Sequence, residues 1–381
     1  MIRPEALVLR TSARRPFAGV VAALIAFAVL GVAATDARAG TVQSAEFDYF
    51  HQQWGQKFDT VGKFDLKFSA GDALCSGVII GDRYVLTAGH CVYSDGDTVR
   101  NMVFNINGER IRAQSWAMHP AWDGSNDALI QGRDIAIVKL RRPITKGKVA
   151  YYARSGDHND QIVTMAGFGA TGTGSTGEVL PAGTKRAGEN RADVSGPGEY
   201  NLSQAGFDVD FNRLYIIDFD AEGQFIDNPE EDVPLPLEYM IARGDSGGGL
   251  FSGGTVIGIT SFGAGNSAFG SSGGFTRVAS HTRWIKRTLR QLRRNANRAN
   301  FGRPGNPIDI DQFAPEGETN PTLSVTTEHG QAEIYPLLQW TTGPQAAQGL
   351  AAPGAAVPEP TTAAALAALA AATLLRRRRG D

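Results

Sequence analysis

Three residues have the types and surroundings that hydrolysis by a serine requires. Ser246 lies among glycines, His90 follows Thr87-Ala-Gly, and Asp134 precedes the apolar run of residues 135–140. A serine hydroxyl is a poor nucleophile at neutral pH, so it needs an imidazole to take its proton and a carboxylate to orient that imidazole. The sequence therefore predicts Ser246 as nucleophile, His90 as its base and Asp134 as the orienting acid.

The string Gly244-x-Ser246-x-Gly248 also occurs in a different class of enzyme, the α/β-hydrolases, where it forms the turn that carries the nucleophile. That fold requires an acid and then a histidine after the serine. Here His90 and Asp134 both precede Ser246, and the glycines that follow Ser246 form helices poorly. Chain order thus disfavours an esterase of that type.

Three longer motifs carry a family resemblance: Thr87-Ala-Gly-His-Cys91, Arg133-Asp-Ile-Ala-Ile-Val-Lys-Leu140 and Gly244-Asp-Ser-Gly-Gly248. They resemble the histidine, aspartate and serine motifs of trypsin/chymotrypsin-like serine proteases, and they occur in the same order. His90 and Asp134 are 44 residues apart, which is typical of that family, and the 112 residues from Asp134 to Ser246 indicate an insertion. The resemblance spans about residues 70–290.

The resemblance implies a serine endopeptidase that works through an acyl-enzyme on protein or peptide substrates, with no cofactor and no metal. The alternative is a catalytically silent protease-like module that binds other molecules at the cell surface or in the extracellular matrix. Intact motifs at all three catalytic positions favour the enzyme, because degenerate relatives commonly lose one of them.

Further site residues are implied by position. The N–H groups of Gly244 and Ser246 would stabilise the oxyanion. The residues expected to bind substrate are Met240 at the base of the primary pocket, Gly263 and Gly273 on its walls, and the edge strand Ser261-Phe262-Gly263. Met240 in place of a carboxylate predicts a preference for hydrophobic or mid-sized side chains over Lys or Arg. Ala242 stands where the family has a cysteine.

The only cysteines are Cys75 and Cys91. An even pair in an exported chain is typical of one disulfide, and two buried free thiols are the alternative. The two residues also stand where the family has its disulfide beside the catalytic histidine. The family's activation junction is not visible ahead of Cys75, so removal of a signal at Gly40, or another internal switch, stays open as the activation route.

Short β-branched and aromatic runs separated by Gly, Asn and Asp indicate an all-β fold over residues 60–290, as barrels or a sandwich. The resemblance specifies two six-stranded antiparallel Greek-key barrels with a C-terminal helix. Trp284, Ile285, Leu289 and Leu292 recur near helical spacing among basic residues, which predicts that helix over 281–292. The protease domain is expected over residues 40–295.

Charge is distributed unevenly along the 381 residues, of which 42% are hydrophobic and 20% charged. The formal net charge of -2 divides into +3 over residues 1–39, +3 over 361–381 and -8 between them. Because binding to phosphates needs clustered Lys and Arg, the acidic central part argues against a nucleic-acid partner.

Residues 1–39 have the layout of a secretory signal. A basic start precedes an uncharged run from Phe17 to Ala34, and Ala37-Arg-Ala39 is a small-x-small cleavage pattern. Arg14-Arg15-Pro16-Phe17 also resembles the twin-arginine export signature. Ordinary secretion, twin-arginine export and an uncut membrane anchor are the three alternatives.

The other end of the chain is predicted as a low-complexity linker, 296–356, and a sorting tail, 357–381. Alternating residues from Leu323 leave room for a strand pair in 320–340, with no role assigned. Val357-Pro-Glu-Pro360, a short apolar run and a terminal Arg cluster resemble the PEP-CTERM tail of Gram-negative bacteria. That resemblance implies an exosortase-type processing enzyme, transient inner-membrane anchoring, and a final place in the periplasm, on the cell surface or in the extracellular matrix.

Overall fold

The computed structural model of the chain describes residues 40–192, 209–221, 234–294, 324–327 and 330–343, in which strands predominate. In chain order these strands are β1 (Gly40–Val42), β2 (Val61–Lys67), β3 (Asp72–Gly81), β4 (Tyr84–Thr87), β5 (Tyr93–Ser94), β6 (Asp97–Thr98), β7 (Asn101–Ile106), β8 (Glu109–Met118), β9 (Ala136–Leu140), β10 (Gln161–Gly167), β11 (Thr171–Thr173), β12 (Gly177–Leu180), β13 (Arg186–Ala192), β14 (Leu214–Asp218), β15 (Tyr239–Met240), β16 (Gly249–Ser252), β17 (Thr255–Ala264), β18 (Ser272–Arg277), β19 (Ser324–Thr327), β20 (Gly330–Pro336) and β21 (Gln339–Trp340). The α-helices are α1 (Asp48–Gly55), α2 (Asn126–Ile130) and α3 (Thr282–Arg294), and short 3-10 turns cover Ala45–Phe47 and Val278–His281.

Six antiparallel strands close into the first barrel. Their order is β2-β7-β8-β9-β4-β3, and β3 pairs again with β2. In β7, Met102, Phe104 and Ile106 are buried while the residues between them are half-buried. Because successive side chains of a strand point to opposite faces, this alternation directs the three side chains into the barrel core.

The tight turn between β7 and β8 shows local sequence fixing strand register. Asn107 and Gly108 both have positive φ, 46° and 78°. Asn-Gly is the dipeptide that tolerates two such residues in a two-residue hairpin. The turn therefore sets the pairing of Ile106 with Glu109 and of the residues beyond them.

Six further strands form a second antiparallel sheet, in the order β13-β10-β16-β17-β18-β14. Within the described ranges β13 and β14 do not pair, so this sheet is a half-barrel beside a closed one. A buried cluster that includes Val78 and Leu86 from the barrel and Val256 and Ile259 from the second sheet packs between the two. The predicted all-β fold with two six-stranded units is confirmed, with the second unit open.

The predicted C-terminal helix is confirmed as α3. It buries Ile285, Leu289 and Leu292 against the cluster between the sheets. At its end, the buried Lys139 of β9 donates a hydrogen bond from Nζ to the Leu292 carbonyl oxygen at 2.8 Å. A cation at the carboxyl end of a helix also interacts favourably with the helix dipole, so this contact fixes α3 on the first barrel.

The stretch predicted as linker, 296–356, contains β19, β20 and β21. The strand pair for which the alternating residues left room is present as β19 with β20. β20 also pairs with β17 of the second sheet, and β21 pairs with β3 of the first barrel. The stretch between β20 and β21 therefore spans the two sheets.

Among the helices of the described residues, none has the length and hydrophobicity of a membrane-spanning segment. The predicted signal, residues 1–39, and the predicted sorting tail, 357–381, both lie outside the described residues.

Glu109, itself buried, supports the first barrel through partly buried hydrogen bonds. Its carboxylate accepts the backbone N–H groups of Thr145 and Lys146 at 2.8 and 2.9 Å and pairs with the guanidinium of Arg142. Burial alone would raise the pKa of Glu109, but these donors outweigh it and lower the pKa to about 2.

Glu109→Gln is therefore expected to lower the free energy of unfolding at pH 7 by roughly 3 kcal/mol, which is the size of a pKa shift from 4.5 to about 2. Because the folded pKa lies below the unfolded one, the contribution is present above about pH 4.5 and is lost as pH falls towards 2. Urea unfolding at pH 7 and pH 3 should show the difference between the two proteins shrink in acid. The same change at the exposed Glu46 is the control and should have no effect.

Candidate active site

Three loops meet between the two sheets and carry the predicted catalytic residues. His90 lies three residues after the end of β4, Asp134 two residues before β9, and Ser246 three residues before β16. The first two belong to the first barrel and the third to the second sheet. All three residues are fully buried. The fold thus brings together residues that are 44 and 156 positions apart.

The three side chains form a continuous hydrogen-bonded chain. The distance from His90 Nδ1 to Asp134 Oδ2 is 2.8 Å, and that from His90 Nε2 to Ser246 Oγ is 2.6 Å. Because an ionised carboxylate can only accept, Nδ1 carries the imidazole proton and Nε2 is free to accept the serine proton. Asp134 Oδ1 also accepts the His90 backbone N–H at 2.8 Å, which fixes the carboxylate against the loop.

The side chain of Ser261 also contacts the triad. Its hydroxyl donates to Asp134 Oδ2 at 2.5 Å, on the oxygen that also faces His90. The sequence predicted Ser261 only as part of the substrate-binding edge strand. The direction of its hydroxyl depends on how the two sheets dock, so the motif alone gives no signal for this contact.

Ser261→Ala is expected to lower kcat five- to tenfold, because Asp134 loses one hydrogen bond while its bonds to His90 stay. Thr276→Val is the matched control, since Thr276 donates to the Asp134 main-chain carbonyl oxygen and not to the carboxylate. It should lower stability and leave kcat within about twofold. Steady-state kinetics and thermal unfolding of both variants measure the contrast, and equal kcat values would contradict it.

The predicted oxyanion donors lie at the turn that precedes and includes Ser246. Gly244 has φ +101°, a conformation that side chains rarely adopt, and its N–H donates at 2.6 Å to the carbonyl oxygen of Leu337. The Ser246 N–H has no hydrogen-bond partner among the described residues. The turn is thus able to donate to a carbonyl oxygen. The carbonyl oxygen of Leu337, in the same polypeptide, already accepts the Gly244 N–H.

Asp245 is buried beneath this turn and fixes its shape. Its carboxylate accepts the backbone N–H groups of Gly169 at 2.7 Å and Ala242 at 3.0 Å, and the hydroxyl of Tyr239 at 3.3 Å. Burial raises the pKa of Asp245 to about 7, against the opposing effect of these donors. A Cβ on Gly169 would lie 2.5 Å from the carboxylate, so a glycine is needed there.

The predicted pocket residues gather around one apolar cluster. Met240 and its neighbour Ile241 share that cluster with Leu337, whose side chain is 0% exposed. At Gly263, a Cβ would lie 3.0 Å from Leu337 Cδ2, and at Gly273 it would lie 2.7 Å from Ile241 Cδ1. Because neither glycine has a Cβ, the side chain of Leu337 can lie against Gly263 and that of Ile241 against Gly273.

The predicted edge strand is part of β17, and it already has a strand beside it. The Ser261 carbonyl oxygen accepts the Leu337 N–H at 3.3 Å, Phe262 is opposite Pro336, and Gly263 is opposite Tyr335. Sequence reasoning missed this occupant. The only signal was the short apolar run from Ile334 to Leu338, which had no assigned role.

The predicted disulfide is confirmed: Cys75 Sγ and Cys91 Sγ are 2.03 Å apart. It joins β3 to the residue after His90. Cys75, Cys91 and His90 lie close enough to suggest a metal site. The two sulfurs are bonded to each other and His90 is bonded to Asp134 and Ser246, so these atoms serve the triad and its loop.

Comparison with known proteins agrees with this geometry. A family model described as Trypsin matches residues 54–210 and 234–285, a range that contains all three triad residues. Trypsin of Sarcophaga bullata is 26% identical over 234 residues, which cover 60% of this chain and 83% of that protein. Serine protease 1 of Homo sapiens is 25% identical over 238 residues, covering 59% and 84%.

Among solved structures, HL collagenase is similar at 18% identity and a TM-score of 0.47, over 62% of this chain and 95% of that one. Residues 324–343 lie beyond the range that the family model matches.

Proposed function

This chain belongs to the trypsin family, and we propose that it is an exported serine endopeptidase that hydrolyses peptide bonds through an acyl-enzyme on Ser246. The observation that carries the proposal is the buried hydrogen-bonded chain from Asp134 through His90 to Ser246. A serine hydroxyl 2.6 Å from an unprotonated imidazole nitrogen is the arrangement that activates the nucleophile.

Each residue then has one role. His90 Nε2 takes the proton as Ser246 Oγ attacks the substrate carbonyl carbon, and Asp134 stabilises the imidazolium that forms. The N–H groups of Gly244 and Ser246 stabilise the oxyanion. His90 gives its proton to the leaving amine, and water then hydrolyses the acyl-enzyme with His90 again acting as base.

A fluorophosphonate probe, which reacts covalently with activated serines, tests this proposal. The probe is applied to the full chain, to Leu337→Asp, which should unseat the segment from the cleft, and to Ser246→Ala. We expect labelling that requires Ser246. A correctly folded Leu337→Asp protein that takes no label would refute the enzyme and favour the silent binding module. The intact hydrogen bonds of the triad argue against the silent binding module.

The pocket supports a preference for hydrophobic side chains. Met240 and Ile241 form part of its cluster, and Gly263 leaves room beside it. Profiling a peptide library would check this, and a strict preference for Lys or Arg would overturn it.

Cleavage after Ala39 would also create an amino group near Tyr239, whose hydroxyl contacts Asp245. Gly40 begins β1, which pairs with β15, and a Cβ on Gly40 would lie 2.0 Å from the Tyr239 hydroxyl oxygen. That hydroxyl donates to Asp245. An ammonium group beside a buried carboxylate favours its ionised form, so we propose that signal removal completes the oxyanion turn.

A chain that begins at Gly40 is expected to be at least tenfold more active than one that retains Ala39, because an amide cannot supply the charge that the amino group supplies. Acetylating the Gly40 amine should abolish the difference. Peptidase assays on the three forms measure this, and equal activities would show that the turn is complete without the charge.

The signal-like residues 1–39 support export, and the tail at 357–381 supports an exosortase-type processing enzyme, transient inner-membrane anchoring and a periplasmic, surface or matrix location. N-terminal sequencing of exported protein should begin at Gly40. Cell fractionation of a chain that ends before residue 357 should show that it no longer remains with the membrane.

A further inference from the structure

A segment of this chain lies across the predicted cleft in an extended conformation. On one side, β20 is antiparallel to β17, with Tyr335 opposite Gly263. On the other side, β21 is antiparallel to β3, with Gln339 opposite Leu74. Leu337 and Leu338 lie between the two strand pairs. Addition of a strand to an exposed sheet edge is a common way of binding a peptide, and here the peptide is part of the same chain.

The backbone of Leu337 is hydrogen-bonded to the proposed catalytic turn. Its carbonyl oxygen accepts the Gly244 N–H at 2.6 Å, and its N–H donates to the Ser261 carbonyl oxygen at 3.3 Å. A carbonyl oxygen on an oxyanion donor has its carbon beside the nucleophile, which is the placement that attack requires. The peptide bond that follows this carbonyl joins Leu337 to Leu338.

Side-chain contacts on both sides hold the Leu337–Leu338 peptide bond in place. Leu337 is fully buried with Met240 and Ile241, and the Arg243 guanidinium lies 5.0 Å from the Tyr335 ring centroid. Leu338 is buried in the core of the first barrel. Both halves of the segment are thus bound, and a bound neighbour in the same chain competes at a high effective concentration with any free substrate.

We propose that the Leu337–Leu338 peptide bond is a substrate of Ser246 in the same chain, so that the enzyme processes itself before it accepts other substrates. The inference rests on the proposed function and names its first substrate. It also names the substrate class, an extended peptide with leucine or a similar aliphatic residue at the attacked carbonyl. Since the segment lies beyond the family match, the family alone gives no account of it.

The reaction is an ordinary hydrolysis. Ser246 Oγ bonds to the Leu337 carbonyl carbon, and its proton passes to His90 Nε2. The bond to the Leu338 nitrogen breaks as His90 donates that proton, which leaves a Leu338 amino group. Water then releases the Leu337 carboxylate and restores Ser246. The products are a chain that ends at Leu337 and a fragment that begins at Leu338.

The test follows the full chain by intact-mass spectrometry after it is refolded from denaturant with its disulfide intact. The wild-type chain should be cleaved between Leu337 and Leu338. The rate should not change over a hundredfold range of protein concentration, because the bond and Ser246 belong to the same chain. Ser246→Ala should stay whole. Leu337→Asp should slow the cut at least a hundredfold, because the pocket is apolar.

Two variants serve as controls. Leu337→Met keeps an apolar side chain of similar volume and should be cut within a few-fold of the wild-type rate. Thr341→Asp changes an exposed residue of the same segment and should be cut like the wild type.

Labelling with the fluorophosphonate probe separates the two proposals. A wild-type chain that is labelled at Ser246 yet stays whole overturns self-processing and leaves the endopeptidase standing. A wild-type chain that is neither labelled nor cut, beside a labelled Leu337→Asp, also overturns self-processing, because the segment then only blocks the cleft. If folded Leu337→Asp takes no label, both proposals fail.

Discussion

Replacing Ser246 with alanine is expected to lower kcat by about a millionfold. Its hydroxyl is the group that lies 2.6 Å from His90 Nε2, and without it His90 has no nucleophile to deprotonate. The Gly244 N–H would still polarise a bound carbonyl, so a small residual rate above that in water is expected. Kinetics on a peptide with leucine at the attacked carbonyl measure the loss.

Ser267→Ala is the matched control for this variant. Ser267 is also a buried serine, and its hydroxyl donates at 2.8 Å to the Ile241 carbonyl oxygen, outside the triad. We expect its kcat to stay within about threefold of wild type, with some loss of stability. A Ser246→Ala protein that keeps more than about a thousandth of wild-type kcat would show that another group acts as nucleophile.

Asp134→Asn is expected to lower kcat by on the order of 10⁴-fold while the fold stays intact. The asparagine oxygen is able to accept the His90 backbone N–H, which places its NH₂ group against His90 Nδ1 and the Ser261 hydroxyl. An NH₂ group donates, so Nδ1 must accept and the imidazole proton moves to Nε2. Nε2 is then unable to take the proton of Ser246.

Asp123→Asn provides the comparison, because Asp123 is an exposed carboxylate that bonds only to Ser125 among the described residues. Its kcat should equal that of the wild type. Thermal unfolding of both variants shows whether the fold is kept. If Asp134→Asn lost less than tenfold in kcat, the orientation of His90 by Asp134 would not matter for the reaction.

Local patterns explain how much of the fold was predictable. Alternation in β7 and the Asn107-Gly108 turn are visible in the sequence, as is the helical spacing of Ile285, Leu289 and Leu292. The order of the three motifs was enough to predict which residues meet. Whether the second sheet closes depends on its accumulated twist and on how its end strands approach, which no single residue specifies.

The occupant of the cleft could not be predicted for a similar reason. Alternation from Leu323 indicates a strand, but a strand pattern does not name its partner, and the pairing of Tyr335 with Gly263 joins residues that are distant in sequence. The hydroxyl of Ser261 is another example, since its bond to Asp134 exists only once β17 lies beside the loop of the first barrel.

The segment that spans both sheets also has a consequence for the order of folding. One end of it needs β17 and the other needs β3, and the contact of Asp72 with Thr342 closes a loop of 270 residues. Long loops are entropically costly to close, and their contacts form late. We therefore expect the segment to find both its partners only after the two sheets have docked, so that the filling of the cleft is the last step of assembly.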